Sequence, residues 1–211
     1  MSDEPRAHTP QEEFWAGEFG AAYSRRNSSE QLLASNLRFF SVALRAAGAI
    51  GSCLELGANI GMNLRALRLL HPGLRAAGVE INPEAARALG ELIGPENVHT
   101  ASLLDYRAAD PFDLVLSKGV LIHLQPDTLP AAYDAIYRAS RRYVLLGEYY
   151  SPSPVSISYR GHADRLFKRD FAGELLDRYP DLALLDYGFV YRRDPAFPQD
   201  DVSWFLMEKR S

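Results

Sequence analysis

Apolar and polar positions follow two different periods along this chain. Residues 11–46 carry apolar side chains at helical spacing, in two pieces separated by a polar break at residues 25–29. From residue 52 onwards, short apolar runs typical of strands alternate with amphipathic stretches typical of helices. The predicted strands span residues 52–56, 75–81, 97–101, 112–116, 143–148, 183–191 and 202–208. The predicted helices that follow the first strand span residues 62–71, 83–92, 128–139 and 170–178.

This order of elements predicts an α/β fold of one structural domain. Strands that alternate with helices indicate a parallel sheet with helices on both faces. The last two strands follow each other without a helix, which suggests an antiparallel closing pair. We therefore expect a Rossmann-like, seven-stranded, mostly parallel sheet with an antiparallel last strand over residues 48–211. An amino-terminal helical lid is expected over residues 1–47.

Composition narrows the classes of function. The net charge of -4 and the pI near 5.7 disfavour a nucleic-acid surface, which normally shows basic clustering. Cys53 is the only cysteine, lies in a predicted buried strand and is expected to pack as a small hydrophobe in a reducing cytoplasm. No apolar run reaches membrane-spanning length, and no cluster of cysteines, histidines or acids suggests a metal site. A small-molecule partner is expected, and the oligomeric state stays open.

The segment Glu55–Met62 lies between the first predicted strand and the helix that follows it. Its spacing, Glu-x-Gly-x-x-x-Gly, differs from the Gly-x-Gly-x-x-Gly turn that places a pyrophosphate on a helix N-terminus. A carboxylate at Glu55 would repel a phosphate and attract a cation. The turn therefore favours a positively charged nucleoside.

Three further strand ends carry candidate chemistry. Glu80 ends the second strand, where a carboxylate can accept hydrogen bonds from both ribose hydroxyls; alternatively it is a solvated strand-end acid. The segment Ser102–Asp105 could line an adenine, although Asp105 could equally cap a local turn. Lys118 and Gly119 follow the fourth strand beside the switch point of the sheet, where such folds place ligands. His123 is a candidate general base, although a lone histidine in an apolar segment is more often packed and hydrogen-bonded.

Taken together, the motifs in residues 52–148 resemble the class I S-adenosylmethionine-dependent methyltransferases. The resemblance implies that Gly57–Gly61 cradles the methionine part of S-adenosyl-L-methionine and that Glu80 holds the ribose. Asn59 departs from the glycine or threonine that is commoner at its position. The residues expected to bind the cofactor are Tyr23, Asn27, Glu55, Gly57, Ala58, Asn59, Gly61, Met62, Asn63, Glu80, Ile81, Ser102, Leu103, Leu104, Lys118 and Gly119.

Two flanking segments, Phe14–Asn27 and Glu148–Phe171, resemble the signatures of a narrower family, the methylases associated with pseudaminic acid biosynthesis. That family name reflects an association with sugar clusters and does not fix a substrate. Tyr23 and Asn27 could fold over the cofactor as part of the lid. Alternatively, the aromatic residues of the first segment simply attach the first helix to the core.

The later segment concentrates positive charge in an acidic protein. An arginine fork matches a carboxylate or a phosphate, so an anionic substrate group near Arg160 and His162 is one hypothesis. A basic surface stretch paired with neighbouring acids is an equally good alternative. The residues expected to bind substrate are Tyr150, Arg160 and Arg165, and the candidate bases are His123, Tyr149 and His162.

The favoured function is methyl transfer to an oxygen or nitrogen of a small polar or anionic biosynthetic intermediate, such as a sugar or nucleotide sugar. One alternative is a non-catalytic protein that binds the same cofactor or assembles a pathway. A nucleotide-dependent oxidoreductase is less favoured, because it needs a glycine-rich phosphate turn that differs from this one.

Overall fold

The computed structural model describes residues 6–26, 29–159 and 162–210. Three helices precede the sheet: α1 (Pro10–Ala16), α2 (Glu18–Arg26) and α3 (Glu30–Ala43). The first predicted helical piece is thus divided at Gly17, whose backbone N–H donates to the carbonyl of Glu13 and ends α1. Ser29 caps α3, because its hydroxyl accepts from the backbone N–H of Leu32.

Nine strands follow among the residues that the structure describes. They are β1 (Ser52–Leu56), β2 (Arg75–Glu80), β3 (Val98–Thr100), β4 (Phe112–Lys118), β5 (Ser140–Glu148), β6 (Val155–Tyr159), β7 (His162–Lys168), β8 (Leu182–Val190) and β9 (Val202–Lys209). Seven of them form one sheet in the order β3-β2-β1-β4-β5-β9-β8. The first five in this order are parallel, and β9 runs antiparallel to both β5 and β8. The predicted Rossmann-like sheet with an antiparallel last strand is confirmed.

Helices cover both faces of this sheet, as predicted. One face packs against α6 (Leu129–Ala139) and α7 (Phe171–Arg178), which bury Ile136 and Leu175 completely. The other face packs against α3, α4 (Met62–Leu70) and α5 (Pro83–Ile93), which bury Phe40, Leu64 and Leu89 completely. The fully buried Cys53 belongs to this second core. A sheet covered on both faces leaves the carboxyl ends of the parallel strands as the place for a ligand.

The pattern analysis did not predict β6 and β7, which form a separate antiparallel hairpin after the exposed segment Ser151–Pro154. One sequence pattern could have indicated β6: apolar Val155 and Ile157 alternate with serines, which is typical of a half-buried strand. This signal is short, and the basic residues that follow obscured it. No helix in the described part of the chain is long and apolar enough to cross a membrane.

Candidate active site

A cavity of about 690 Å³ lies at the carboxyl ends of β1, β2 and β4. Its size is within the range of small-molecule sites, about 300–1,000 Å³. Helices α1, α2 and α3 and the connection between β8 and β9 complete its walls. The cavity therefore has two ends, one over β1 and β2 and the other between α3 and the β8–β9 connection.

The glycine turn after β1 forms the floor of the first end. Gly57 has φ = +76° and Gly61 has φ = +83°, so both adopt a left-handed conformation that favours glycine. A Cβ atom on Gly57 would lie 2.5 Å from Cγ2 of Val120, so a larger residue does not fit. Asn59 also has a positive φ, +50°, which asparagine tolerates better than most residues. The floor of the cavity is thus largely bare backbone.

Glu80 holds this turn in place. Its carboxylate accepts hydrogen bonds from the backbone N–H groups of Asn59 (2.7 Å) and Asn82 (2.8 Å). The side chain is buried, and burial raises its pKa against the opposing effect of these bonds. A carboxylate has about four acceptor positions, so the two bonds leave capacity for ribose hydroxyls.

Glu55 is a second buried acid, in β1 just before the glycine turn; it is outside the cavity lining, whereas its partner Asn63 lines the cavity. Its Oε1 accepts from Nδ2 of Asn63 at 2.6 Å, whereas its Oε2 is buried without a hydrogen-bond partner in the described part of the chain. Burial raises the pKa of Glu55 to about 8. A ligand ammonium would supply the missing partner and favour the charged carboxylate. The site therefore fits a cofactor that carries a positive charge.

The loop after β3 closes the side of this end. Ser102 and Leu103 line the cavity, together with Ile81. Leu104 is buried in the core, and its backbone N–H donates to the hydroxyl of Ser102 at 3.2 Å. Asp105 lies outside the cavity lining and forms an ion pair with Arg6 at 3.1 Å.

Asn82 attaches the amino-terminal helices to the cofactor end, a role that the sequence reasoning missed. Its Nδ2 lies 3.3, 3.0 and 3.0 Å from the carbonyl oxygens of Trp15, Ala16 and Gly17, while its Oδ1 caps α5. The asparagine before Pro83 signals the helix cap, but sequence carries no signal for the contact with α1. The hydroxyl of Ser24 also lies 2.6 Å from Oδ1 of Asn59.

Most of the remaining residues predicted to bind the cofactor also line the cavity: Tyr23, Gly57, Ala58, Asn59, Met62, Asn63, Lys118 and Gly119. Asn27 lies outside the described residues. Gly119 has φ = +69°, and a Cβ atom there would meet only open space. Its lack of a side chain leaves the middle of the cavity open.

The candidate bases are placed differently. His123 lines the cavity, is largely buried and packs on Trp15 with ring centroids 4.6 Å apart. Tyr149 also lines the cavity, and Nζ of Lys168 lies 5.2 Å from its ring centroid. His162 begins β7, but its side chain lies outside the described part of the structure.

The residues predicted to bind substrate are not brought together at the cavity in the described structure. Tyr150 is 45% exposed, pairs with Arg169 through a β-bridge and is absent from the cavity lining. Arg160 lies outside the described residues, and of Arg165 only the backbone, in β7, is described. Of this set, the described structure places only the side chain of Tyr150, which lies outside the cavity lining.

Glu148, at the end of β5, organises the segment that contains His123. Its Oε1 accepts from the backbone N–H groups of Val120 and Leu121, both at 3.0 Å, and its Oε2 accepts from Ile122 at 3.4 Å. Burial raises the pKa of this carboxyl to about 7. The sequence showed an acid at a strand end, but not that it would cap the turn after a different strand.

The second end of the cavity was not predicted from the sequence. Its walls include Leu32 and Asn36 of α3 and, from the β8–β9 connection, Arg192, Pro198, Gln199 and Asp200. Nε2 of Gln199 donates to Oδ1 of Asn36 at 3.2 Å, across 163 positions of sequence. Only the folded chain brings these two amides together.

Comparison with known proteins agrees with this geometry. Residues 54–142 match the family model described as a methyltransferase domain. The matched region contains the last three residues of β1, all of β2 and β4, and the loops that form the cofactor end. Residues 54–142 thus carry a methyltransferase domain, a class of enzyme whose cofactor is S-adenosyl-L-methionine. A search of curated proteins finds no match to the chain.

Solved structures share the fold over nearly the whole chain. The 1,6-didemethyltoxoflavin-N1-methyltransferase of Burkholderia thailandensis, with bound 1,6-didemethyltoxoflavin and S-adenosylhomocysteine, is 18% identical, with a TM-score of 0.72 over 99% of this chain and 93% of that chain. The plantazolicin methyltransferase BpumL in complex with S-adenosylhomocysteine is 13% identical, with a TM-score of 0.65 over 95% and 94%. DesVI of Streptomyces venezuelae is 11% identical, with a TM-score of 0.63 over 90% and 97%.

Proposed function

We propose that this protein transfers the methyl group of S-adenosylmethionine to an oxygen or nitrogen of a small polar acceptor. The observation that carries the proposal is the single cavity with two chemically different ends. One end presents bare backbone and Glu80, with the unsatisfied oxygen of Glu55 buried next to the lining residue Asn63. The other end is lined by amide and charged side chains. A methyltransferase needs such an arrangement, because donor and acceptor must be held in one enclosed space.

At the cofactor end, we assign roles to the chain's own groups. Glu80 accepts from the ribose hydroxyls, Ser102 and Leu103 contact the adenine, and Glu55 accepts from the cofactor's ammonium. The bound cofactor supplies an electrophilic methyl group on a positively charged sulfur. Gly57 and Gly119 leave the space in which an acceptor atom can approach it.

We also propose that α1 and α2 act as a lid over this end. Trp15, Tyr23 and Ser24 line the cavity from these helices. Asn82 fixes the junction of α1 and α2 to the core. Its side chain donates to the carbonyls of Ala16 and Gly17, and its backbone N–H donates to Glu80, the candidate for ribose binding. The lid excludes water, which strengthens the electrostatic interactions around the reacting atoms.

The acceptor is proposed to be a biosynthetic intermediate of sugar or nucleotide-sugar type, following the resemblance of Phe14–Asn27 and Glu148–Phe171 to the pseudaminic acid-associated methylases. A hydroxyl acceptor needs a base, and His123 and Tyr149 are the candidates that line the cavity. A carboxylate or phosphate acceptor needs none. One similar solved structure is an N1-methyltransferase with bound 1,6-didemethyltoxoflavin, and nitrogen therefore stays among the proposed acceptor atoms.

The test has two stages. Calorimetry with S-adenosylhomocysteine measures binding at the cofactor end, and incubation with radiolabelled S-adenosylmethionine and a panel of sugars, nucleotide sugars and nitrogen heterocycles measures transfer. We expect both binding and transfer. Failure to bind S-adenosylhomocysteine would overturn the proposal, whereas tight binding with no transfer to any acceptor would favour a non-catalytic cofactor-binding protein.

A further inference from the structure

Lys118 is the last residue of β4 and lines the middle of the cavity. Its Nζ lies 5.3 Å from the centroid of the Phe39 ring of α3. Within the described part of the chain, Glu55, Asp200 and Glu148 attract this ammonium through space, and no ion pair joins it to any of them. Lys118 is half-buried, and an ammonium has three donors, so a ligand in the cavity can supply acceptors that the described side chains do not.

The neighbours of Lys118 indicate at which end of the cavity this residue lies. Its side chain passes Gly147 of β5, where a Cβ atom would lie 3.2 Å from its Cγ. Phe39 and Asp200 belong to α3 and to the β8–β9 connection, the walls of the acceptor end. The groups assigned to ribose and adenine, Glu80 and Ser102, lie on the opposite side of β1, towards β2 and β3. Lys118 thus lies with the acceptor end.

The rest of this end is suited to a polar ligand. Asn36 and Gln199 form a buried amide pair, and the second amide oxygen, Oε1 of Gln199, is buried without a hydrogen-bond partner among the described residues. Arg192 adds a second cation to the lining. Burial lowers the pKa of Lys118. Burial also raises the pKa of Glu55 and of Glu148, so protonation reduces the negative charge near Lys118 before a ligand binds.

We propose that Lys118 binds an oxyanion of the methyl acceptor, so that the substrate class is a small molecule with a carboxylate or phosphate close to the atom that receives the methyl group. The Asn36–Gln199 amides then bind neutral polar groups of the same molecule. This inference rests on the proposed methyltransferase function. It places the anion subsite on β4, α3 and the β8–β9 connection and not on the β6–β7 hairpin.

The test compares matched acceptors with and without the charge: a sugar acid against its primary amide, and a sugar phosphate against the free sugar. Transfer is measured for the wild type, Lys118→Met, Lys118→Arg and the control Arg87→Met, which removes an exposed cation of α5 outside the cavity lining. We expect the wild type and Arg87→Met to prefer the charged acceptor. In Lys118→Met, kcat/KM for that acceptor should fall about 10- to 100-fold, as for loss of a charged hydrogen bond. Lys118→Arg should restore part of the preference.

A second readout does not depend on turnover. The complex with S-adenosylhomocysteine is titrated with the same charged compounds, and binding is followed by ligand-observed NMR for the wild type and Lys118→Met. Equal binding to both proteins, or an equal loss of transfer for charged and neutral acceptors, would overturn the assignment. The cofactor also carries a carboxylate that Lys118 could bind. This case is tested by measuring the affinities of wild type and Lys118→Met for S-adenosylhomocysteine and for 5′-methylthioadenosine, which lacks the carboxylate. If Lys118→Met weakens only the former, Lys118 binds the cofactor and the proposal is wrong, while the methyltransferase function stands.

Discussion

The two ends of the cavity are built in different ways. At the cofactor end, the functional groups come mainly from strand ends and the turns after them, and backbone hydrogen bonds fix them, as Glu80 fixes Asn59. At the acceptor end, side chains of α3 meet a connection 163 positions later in the sequence through one amide–amide hydrogen bond. The sheet therefore determines the cofactor end directly, whereas the acceptor end depends on how helices and connections pack around it.

Because the two ends are built differently, substitutions at each end should weaken S-adenosylhomocysteine binding to different extents. The largest effect is expected for Gly57→Ala. A side chain at φ = +76° costs about 1–2 kcal/mol, and its contact at 2.5 Å with Val120 adds about 1–3 kcal/mol. We expect a melting temperature lower by at least about 4 °C and loss of measurable binding by calorimetry. Gly73→Ala is the control, because a Cβ atom there meets open space; an equal loss in both variants would contradict the prediction.

Glu80→Gln should have the next largest effect. The amide keeps the shape but offers only one oxygen, so one of the two backbone donors, Asn59 or Asn82, loses its acceptor. We expect affinity for S-adenosylhomocysteine to fall about 10- to 100-fold by calorimetry, as is typical for loss of a charged hydrogen bond. Glu91→Gln, on the exposed surface of α5, serves as the control and should bind as the wild type does. Unchanged affinity in Glu80→Gln would remove Glu80 from the cofactor site.

The role of Glu55 should be measurable as the release of protons when S-adenosylhomocysteine binds. Its pKa is about 8 in the free protein, so most of this carboxyl is protonated at pH 7, and a cofactor ammonium should drive the proton off. Calorimetry at pH 7 in buffers with different ionisation enthalpies should detect release of up to about one proton per S-adenosylhomocysteine bound. Glu55→Gln should abolish this release and weaken binding by about fivefold. Identical proton release in both proteins would exclude Glu55 as its source.

The raised pKa of Glu55 also predicts how the free energy of unfolding of the free protein changes with pH. A carboxyl whose pKa is raised on folding binds more protons in the folded than in the unfolded state between pH 4.5 and about 8. Its contribution to the free energy of unfolding is therefore complete below pH 4.5 and declines as the pH rises towards 8. Denaturation with urea across this range should show a weaker decline for Glu55→Gln than for the wild type. A steeper decline in the variant would contradict the raised pKa.

The smallest effect on cofactor binding is expected for Gln199→Leu. This change breaks the bond to Asn36 at the acceptor end and leaves the glycine turn and both cofactor acids intact. We expect the affinity for S-adenosylhomocysteine to stay within about twofold, while transfer to the acceptor falls by about tenfold. A drop in S-adenosylhomocysteine affinity as large as that of Glu80→Gln would show that the two ends are not independent.

The same contrast explains which features could be predicted from the sequence. The strand–helix alternation predicted the sheet, its antiparallel last strand and the helices on both faces, because these depend on local periodicity. The sequence could place Gly57 and Glu80 at the edge of the sheet where the cavity lies, because strand ends converge at one edge of a parallel sheet; their roles in binding stay predictions. The attachment of α1 by Asn82, the cap formed by Glu148 and the β6–β7 hairpin were not predicted, because each depends on contacts between distant segments or on a weak local pattern.

The sequence alone therefore determined the type of fold and the chemical character of the cofactor turn, since both arise from residue order over short distances. Only the tertiary structure decided which side chains share the cavity. It placed Lys118, Asn36 and Gln199 in the lining of one cavity, and it left Tyr150 outside that lining. The physical reason is that burial and hydrogen bonding act between neighbours in space, and at the acceptor end those neighbours come from α3, β4 and the β8–β9 connection.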